Sequence, residues 1–152
     1  MTNIPVADRL ELQEITHLFS FYADTRQLDK YIDLFSDDGV LDESSVGMPV
    51  VTGRRGLQEF FSTDAVHSIR YLVHYGSNHI VTDYAGDTAA GLAYVYFKAV
   101  THDGGEMQIY GYYEDRYVKT AQGWRFRLRV LKHLLPPSGV PVIGDVVQVA
   151  RR

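Results

Sequence analysis

Met107-Gln108-Ile109-Tyr110-Gly111-Tyr112-Tyr113-Glu114-Asp115-Arg116-Tyr117-Val118-Lys119-Thr120 is the stretch on which the fold turns. It is rich in aromatic and β-branched residues and contains no proline, which is the composition of a strand. Alternation puts Ile109, Gly111, Tyr113, Asp115 and Tyr117 on one face of it. The turn chemistry of Thr120-Ala121-Gln122-Gly123 follows, and then a second strand-like run over 124–135. In that run Arg125, Arg127, Arg129 and Leu131 share one face, opposite Trp124, Phe126, Leu128 and Val130. Alternation alone leaves open which face is concave, and which of the three arginines faces inward. Upstream, His102-Asp103-Gly104-Gly105 and Tyr84-Ala85-Gly86-Asp87 are turns that bound strands over 88–100 and 69–82. Connections this short make neighbouring strands antiparallel. Strands longer than the usual ~5–6 residues must coil when they pair, so the sheet has a concave face.

The segment before this meander reads as helical. Ile15, Leu18, Phe19 and Tyr22 fall at offsets of 0, 3, 4 and 7, with Leu10 roughly on the same stripe. Asp8 followed by Glu11 has the pattern of a capping box. A second helix is expected over 29–35, with Tyr31, Ile32, Leu34 and Phe35 as its apolar positions and Asp37-Asp38-Gly39 ending it. A third starts after Thr52-Gly53 and runs through Leu57, Phe60 and Phe61. Helices followed by an antiparallel meander define an α+β class in one domain spanning 1–152. Pro136-Pro137 and Pro141 stop the sheet, leaving 136–152 as a tail whose residues 140–149 are apolar enough to pack on something.

Composition narrows the function. With no cysteine among 152 residues, thiol catalysis, disulfides and thiolate metal sites are excluded. A net charge of −4 argues against nucleic-acid binding, which needs clustered Lys and Arg. No apolar run reaches the ~20 residues of a membrane span. The first residues lack the basic and apolar regions of a signal peptide, so a cytoplasmic protein is expected. His17, His102 and His133 lack metal-ligand spacing, and Gly53-Arg54-Arg55-Gly56 lacks the spacing of a phosphate loop. No metal and no cofactor are expected. Eleven tyrosines and seven phenylalanines in so short a chain suit an apolar pocket for a small hydrophobic molecule.

Four stretches carry a family resemblance: Tyr22-Ala23-Asp24-Thr25-Arg26-Gln27-Leu28-Asp29-Lys30-Tyr31-Ile32-Asp33-Leu34-Phe35-Ser36-Asp37-Asp38, Thr52-Gly53-Arg54-Arg55-Gly56-Leu57, Tyr71-Leu72-Val73-His74, and Gly111 to Thr120 leading to Gly123-Trp124-Arg125-Phe126. Together they resemble the nuclear transport factor 2-like superfamily and, within it, the SnoaL-like branch. The resemblance implies a cone-shaped α+β barrel, with N-terminal helices packed on the concave face of a strongly curved, mostly antiparallel sheet. It also implies a homodimer or homotrimer.

Within that branch, Asp24 and His74 match the catalytic Asp–His pair of scytalone dehydratase, lindane dehydrochlorinase and bile acid 7α-dehydratase. The eleven-residue spacing from Asp24 to Phe35 matches as well. At the second pocket His of scytalone dehydratase this chain has Ala93, and at its Asn it has Tyr113. A carboxylate holding one imidazole N–H fixes the tautomer and supports the charge that develops when the ring takes a proton. The expected activity is therefore that of a cofactor-independent lyase or isomerase. His74 would abstract a proton from carbon, Asp24 would orient it, and a dehydratase-like elimination or a double-bond shift would follow. Tyr22, Tyr113 and Arg129 are candidates for binding substrate or stabilising developing charge, Arg129 because lindane dehydrochlorinase has a pocket Arg on this strand. His79 reads as structural, on the face opposite His74 unless a bulge intervenes. A second reading resembles ketosteroid isomerase, with Glu43 as the base and Phe19 where that enzyme has its oxyanion Tyr. A third is a non-catalytic ligand-binding or dimerisation module.

Overall fold

A computed structural model describes residues 3–135 and 138–139. Helix α1 (Val6–Asp24) buries Leu12, Ile15, Thr16 and Phe19 along one stripe, while Leu10 points to solvent. The expected capping box does not form. Pro5 occupies the N-cap, and no side chain caps the helix. Asp8 turns inward instead and accepts hydrogen bonds from Trp124 Nε1 (3.1 Å), Tyr84 Oη (2.5 Å) and Lys119 Nζ (2.6 Å). Glu11 accepts from the Trp124 backbone N–H at 2.7 Å. Donors in the sheet take both carboxylates, because leaving the indole N–H and the backbone amide unpaired in the core would be more costly than leaving a helix terminus to water.

Helix α2 (Leu28–Ile32) is shorter than expected, and strand β1 (Phe35–Asp42) begins where the sequence suggested helix. Asp37, Asp38 and Gly39 lie inside β1 rather than ending a helix. The reason is tertiary. β1 runs parallel to β6 (Gly123–His133), pairing Phe35 with Phe126 and Val40 with Leu128 around an irregularity. Gly39 permits this approach, since a Cβ there would stand 2.8 Å from the Phe126 carbonyl oxygen. A 3-10 turn (Ser44–Val46) and strand β2 (Val50–Thr52) follow, then α3 (Gly53–Phe61) as expected, and a short α4 (Asp64–His67) that the sequence did not signal.

Strands β3 (Ile69–Tyr84), β4 (Thr88–Thr101), β5 (Glu106–Thr120) and β6 form the expected antiparallel meander. The strand order is β2-β1-β6-β5-β4-β3, with β7 (Ser138–Gly139) pairing with β5. The sheet coils but stays open, with β2 and β3 as its edges, so the cone is not a closed barrel. Packing of α1 against the concave face builds an aromatic core that includes Phe19, Tyr31, Phe35, Tyr113, Tyr117 and Phe126. No helix among the described residues is long and apolar enough to cross a membrane. The apolar run at 140–149 lies outside the described residues.

Two irregularities decide which side chains face inward. In β6 the register moves from Tyr117↔Phe126 to Arg116↔Leu128, so Arg127 is an extra residue. Trp124, Phe126, Arg129 and Leu131 are therefore all buried, while Arg127 is exposed and ion-paired with Asp38. The expected single face carrying Arg125, Arg127 and Arg129 does not exist. In β3 the pairing is interrupted between Ser77 and Ile80, with Asn78 at φ 53°. This bulge brings His79 to the concave side, where its Nε2 lies 3.1 Å from Tyr117 Oη.

Candidate active site

Asp24 is the last residue of α1. The chain leaves the helix through Arg26, held in the left-handed region at φ 58°, and its Nη2 donates to the Ile69 carbonyl at 2.9 Å. That bond fixes the end of α1 against the start of β3. His74 lies five residues further along β3, which is an edge strand. On an edge, a backbone N–H facing away from the sheet needs another partner. Asp24 supplies it: Oδ2 accepts the His74 backbone N–H at 2.9 Å, and Oδ1 lies 2.6 Å from His74 Nδ1. One carboxylate thus holds one histidine at two points.

The imidazole is nearly enclosed, with 8% of its side chain exposed against 21% for Asp24. Phe97 at 4.9 Å and Phe19 at 6.2 Å meet the ring edge-to-face. With Nδ1–H donated to the carboxylate, Nε2 carries the lone pair. Nε2 has no hydrogen-bond partner among the described residues, and His74 lines a cavity of about 500 Å³. The walls are mainly apolar, with Leu41, Met48, Leu72, Met107, Ile109 and Leu131 among them. The volume suits a small-molecule site of the usual ~300–1,000 Å³ range.

The remaining candidates separate. Tyr22 lines the same cavity, with Lys30 Nζ 5.7 Å from its ring centroid. Tyr113 also lines it, edge-to-face with Phe19 at 5.5 Å, and donates its hydroxyl to Glu43 Oε1 at 3.3 Å. Burial pushes the Tyr113 phenol well above its ordinary range. Arg129 is not at the cavity surface. Its guanidinium sits behind an aromatic layer, 3.9 Å from the Tyr113 centroid, 4.1 Å from Phe19 and 4.4 Å from Phe126. Its Nε is 3.5 Å from Asp115 Oδ1, and both side chains are essentially inaccessible. Burial raises the Asp115 carboxyl to about 6, against the opposing pull of Arg129 and a hydrogen bond from Tyr117. His79, linked to the same group through Tyr117, is lowered to about 4, first by burial and then by the Arg129 charge.

Glu43, placed on the loop after β1, reaches into the cavity that holds His74. Burial raises its carboxyl, partly offset by the His74 charge and the Tyr113 hydrogen bond. The two sequence readings of the base therefore fall in one cavity. Sequence reasoning missed Phe97, Tyr31 and Arg26 as parts of the site. No local pattern marks them, because the strand pairing and the helix end bring them there. Among the described residues no group of three or more His, Asp or Glu converges to hold a metal ion.

Comparison with known proteins agrees with this architecture. The family model of the SnoaL-like domain matches residues 5–130. A protein of Novosphingobium aromaticivorans with the working name aromatic ring hydroxylase is 32% identical; the alignment covers 91% of this chain and 96% of that one, at a TM-score of 0.86. A type 2 hexachlorocyclohexane dehydrochlorinase shares 17% identity over 89% of this chain and 90% of that one, at a TM-score of 0.79. A second N. aromaticivorans protein, with the working name scytalone dehydratase, shares 17% over 97% and 96%, at 0.78. The comparison with curated proteins gives no match. The family model spans most of the chain and the solved structures superpose along nearly all of it: the chain belongs to the SnoaL-like domain family, on a nuclear transport factor 2-like fold.

Proposed function

We propose that the chain is a cofactor-independent lyase or isomerase that removes a proton from carbon of a small hydrophobic substrate. One observation carries this reading: His74 Nδ1 is held at 2.6 Å by a carboxylate, the other ring nitrogen has no hydrogen-bond partner among the described residues, and His74 lines a mainly apolar cavity. Nε2 takes the proton, and Asp24 stabilises the imidazolium that results. Such general-base assistance is typically worth ~10²–10⁴-fold. Removing a carbon-bound proton leaves an electron pair that expels a neighbouring leaving group or shifts a double bond. The names of the relatives, a dehydrochlorinase, a dehydratase and an aromatic ring hydroxylase, support a cyclic, largely apolar substrate.

Deuterium uptake from heavy water into the carbon beside the carbonyl of 2-tetralone, followed by NMR, tests the proton-transfer step without a known substrate. His74→Ala is expected to bring exchange to the buffer rate in a protein that remains folded at the assay temperature. An H74A protein that exchanges as fast as wild type refutes the mechanism. A second reading, with Glu43 as the base, is favoured by its position in the same cavity, and Glu43→Gln separates the two in the same assay.

We also propose self-association through the convex face of the sheet. Tyr75, Tyr96 and Tyr110 form a ring-to-ring row across β3, β4 and β5, with Tyr94 and Tyr112 beside it. Tyr75, Tyr94 and Tyr110 are exposed, and tyrosine is enriched at the centres of protein interfaces.

A further inference from the structure

β1 and β3 lie far apart in the strand order, yet the coil of the sheet brings the loop after β1 and the middle of β3 onto walls of one cavity. Glu43 comes from the first wall and His74 from the second. The surroundings of Glu43 are unusual for a carboxylate. No Lys, Arg or His nitrogen among the described residues comes within ion-pair distance of it. Its hydrogen-bond partner is a neutral phenol, Tyr113 Oη, at 3.3 Å. Leu41, Val46, Met48 and Leu131 line the same cavity. The Arg129 guanidinium lies against the Tyr113 ring, 3.9 Å from its centroid, while Arg26 and Arg70 line the cavity without an ion pair to Glu43. Burial with no cation in contact shifts such a carboxyl upward, toward the proton-donating form. The groups acting on it are His74 from β3, Tyr113 from β5, Arg129 from β6, Tyr31 from α2 and the adjoining Asp42. Desolvation, the largest influence, and the Asp42 charge push the carboxyl up, against the downward pull of His74, Tyr113 and Arg129, and leave it raised.

Resting on the reading of His74 as the base, we propose that Glu43 is the general acid of an elimination whose leaving group departs through oxygen, with Tyr113 fixing the carboxyl's orientation. His74 Nε2 takes the proton from carbon, and the C–H electron pair becomes the new carbon–carbon double bond. The carbon–oxygen bond breaks, and the departing oxygen takes the Glu43 proton, leaving as water or an alcohol. An imidazolium paired with Asp24 and a Glu43 carboxylate remain. Return of one proton from the ring to the carboxylate, after product release, restores both. A halide leaves as a stable anion and needs no such donor, whereas hydroxide and alkoxide are poor leaving groups without one. The site therefore suits substrates that carry a hydroxyl or alkoxyl on the carbon next to the one that loses its proton.

The test has a substrate-free arm and a kinetic arm. Infrared spectra through a pH titration are expected to show the carbonyl stretch of the protonated Glu43 carboxyl persisting to a higher pH than that of an exposed glutamate, and Glu43→Gln to remove it. The isosteric Gln keeps the side-chain shape and an acceptor for Tyr113. In the kinetic arm, 4-aryloxy- and 4-alkoxy-2-butanones with leaving groups from 4-nitrophenoxide to phenoxide to methoxide serve as probes. E43Q is expected to lose only a few-fold on nitrophenoxide but ~10²-fold or more on methoxide. His74→Ala loses about the same factor throughout. A Glu43 band that disappears at the pH of an exposed glutamate overturns the proposal whatever the kinetics show. So does an E43Q loss that is equal across the series, a result that leaves the His74 reading standing if H74A is impaired. Loss in E43Q with H74A fully active overturns both.

Discussion

Asp24→Asn is the sharpest perturbation of the site, because the structure dictates what the amide must do. The carboxylate accepts from two donors on the same residue, the His74 backbone N–H at 2.9 Å and the ring at 2.6 Å. Asn offers one acceptor and one donor. The backbone N–H cannot change its character, so the amide oxygen turns toward it and the NH₂ group faces Nδ1. Nδ1 must then accept, the ring proton moves to Nε2, and the nitrogen that has no protein partner becomes a donor instead of a base. The imidazolium also loses its counter-charge. The expected loss is that of the general base, ~10²–10⁴-fold, or ~3–5 kcal/mol in the barrier at 1.36 kcal/mol per tenfold. Folding suffers less, since two neutral hydrogen bonds replace the two made to the carboxylate. A loss of ~1–2 kcal/mol moves the melting temperature by roughly 2–8 °C for a chain of this size. Nitrogen-15 NMR of the ring reads the tautomer directly, and tetralone exchange reads the rate. A D24N protein with its ring proton still on Nδ1, or with exchange within a few-fold of wild type, refutes this account of the pair.

The buried Arg129–Asp115 pair is expected to be asymmetric. Asp115→Asn strands a guanidinium with no exit to solvent and destabilises by ~3–5 kcal/mol, whereas Arg129→Met costs less because Asp115, already raised to about 6, can take up a proton. Urea titration of the double variant should recover most of the loss; simple addition of the two single effects contradicts the argument. Asp8, held down to about 2 chiefly by Lys119 and then by Tyr84 and Trp124, has a folded pKa below its unfolded value of 3.8. Its contribution is therefore present above about pH 4 and disappears as pH falls through about 2. After screening through the half-exposed Lys119 it is on the order of 1–2 kcal/mol, and Asp8→Asn should flatten that part of the urea-midpoint curve. Replacing Tyr75, Tyr96 and Tyr110 together with Ser should shift sedimentation from the proposed oligomer to monomer. An unchanged sedimentation coefficient removes the convex face as the interface.

Asp24 and His74 were legible in the sequence only through resemblance, since neither a helix-end aspartate nor a strand histidine is distinctive on its own. Their two-point contact depends on β3 being an edge strand, which no local pattern encodes. Glu43 entered the sequence reading as a rival to His74 and stands in the structure as its neighbour across a cavity, because only the coil of the sheet brings their segments together. Arg129 was grouped with Arg125 and Arg127 by strict alternation, and the bulge at Arg127 separates them.

By itself the sequence determined the helices α1 and α3, the four long strands and the turns between them. These rest on contiguous residues: period-3.6 and period-2 patterns, and glycines at 86, 104 and 123 that take positive φ where the hairpins need it. Tertiary structure alone decided that 35–42 is a strand, where β3 and β6 bulge, and which carboxylates are buried. Those outcomes depend on how a partner strand fits against the chain and on which groups lose their water. Both are properties of surfaces that exist only once distant segments have met.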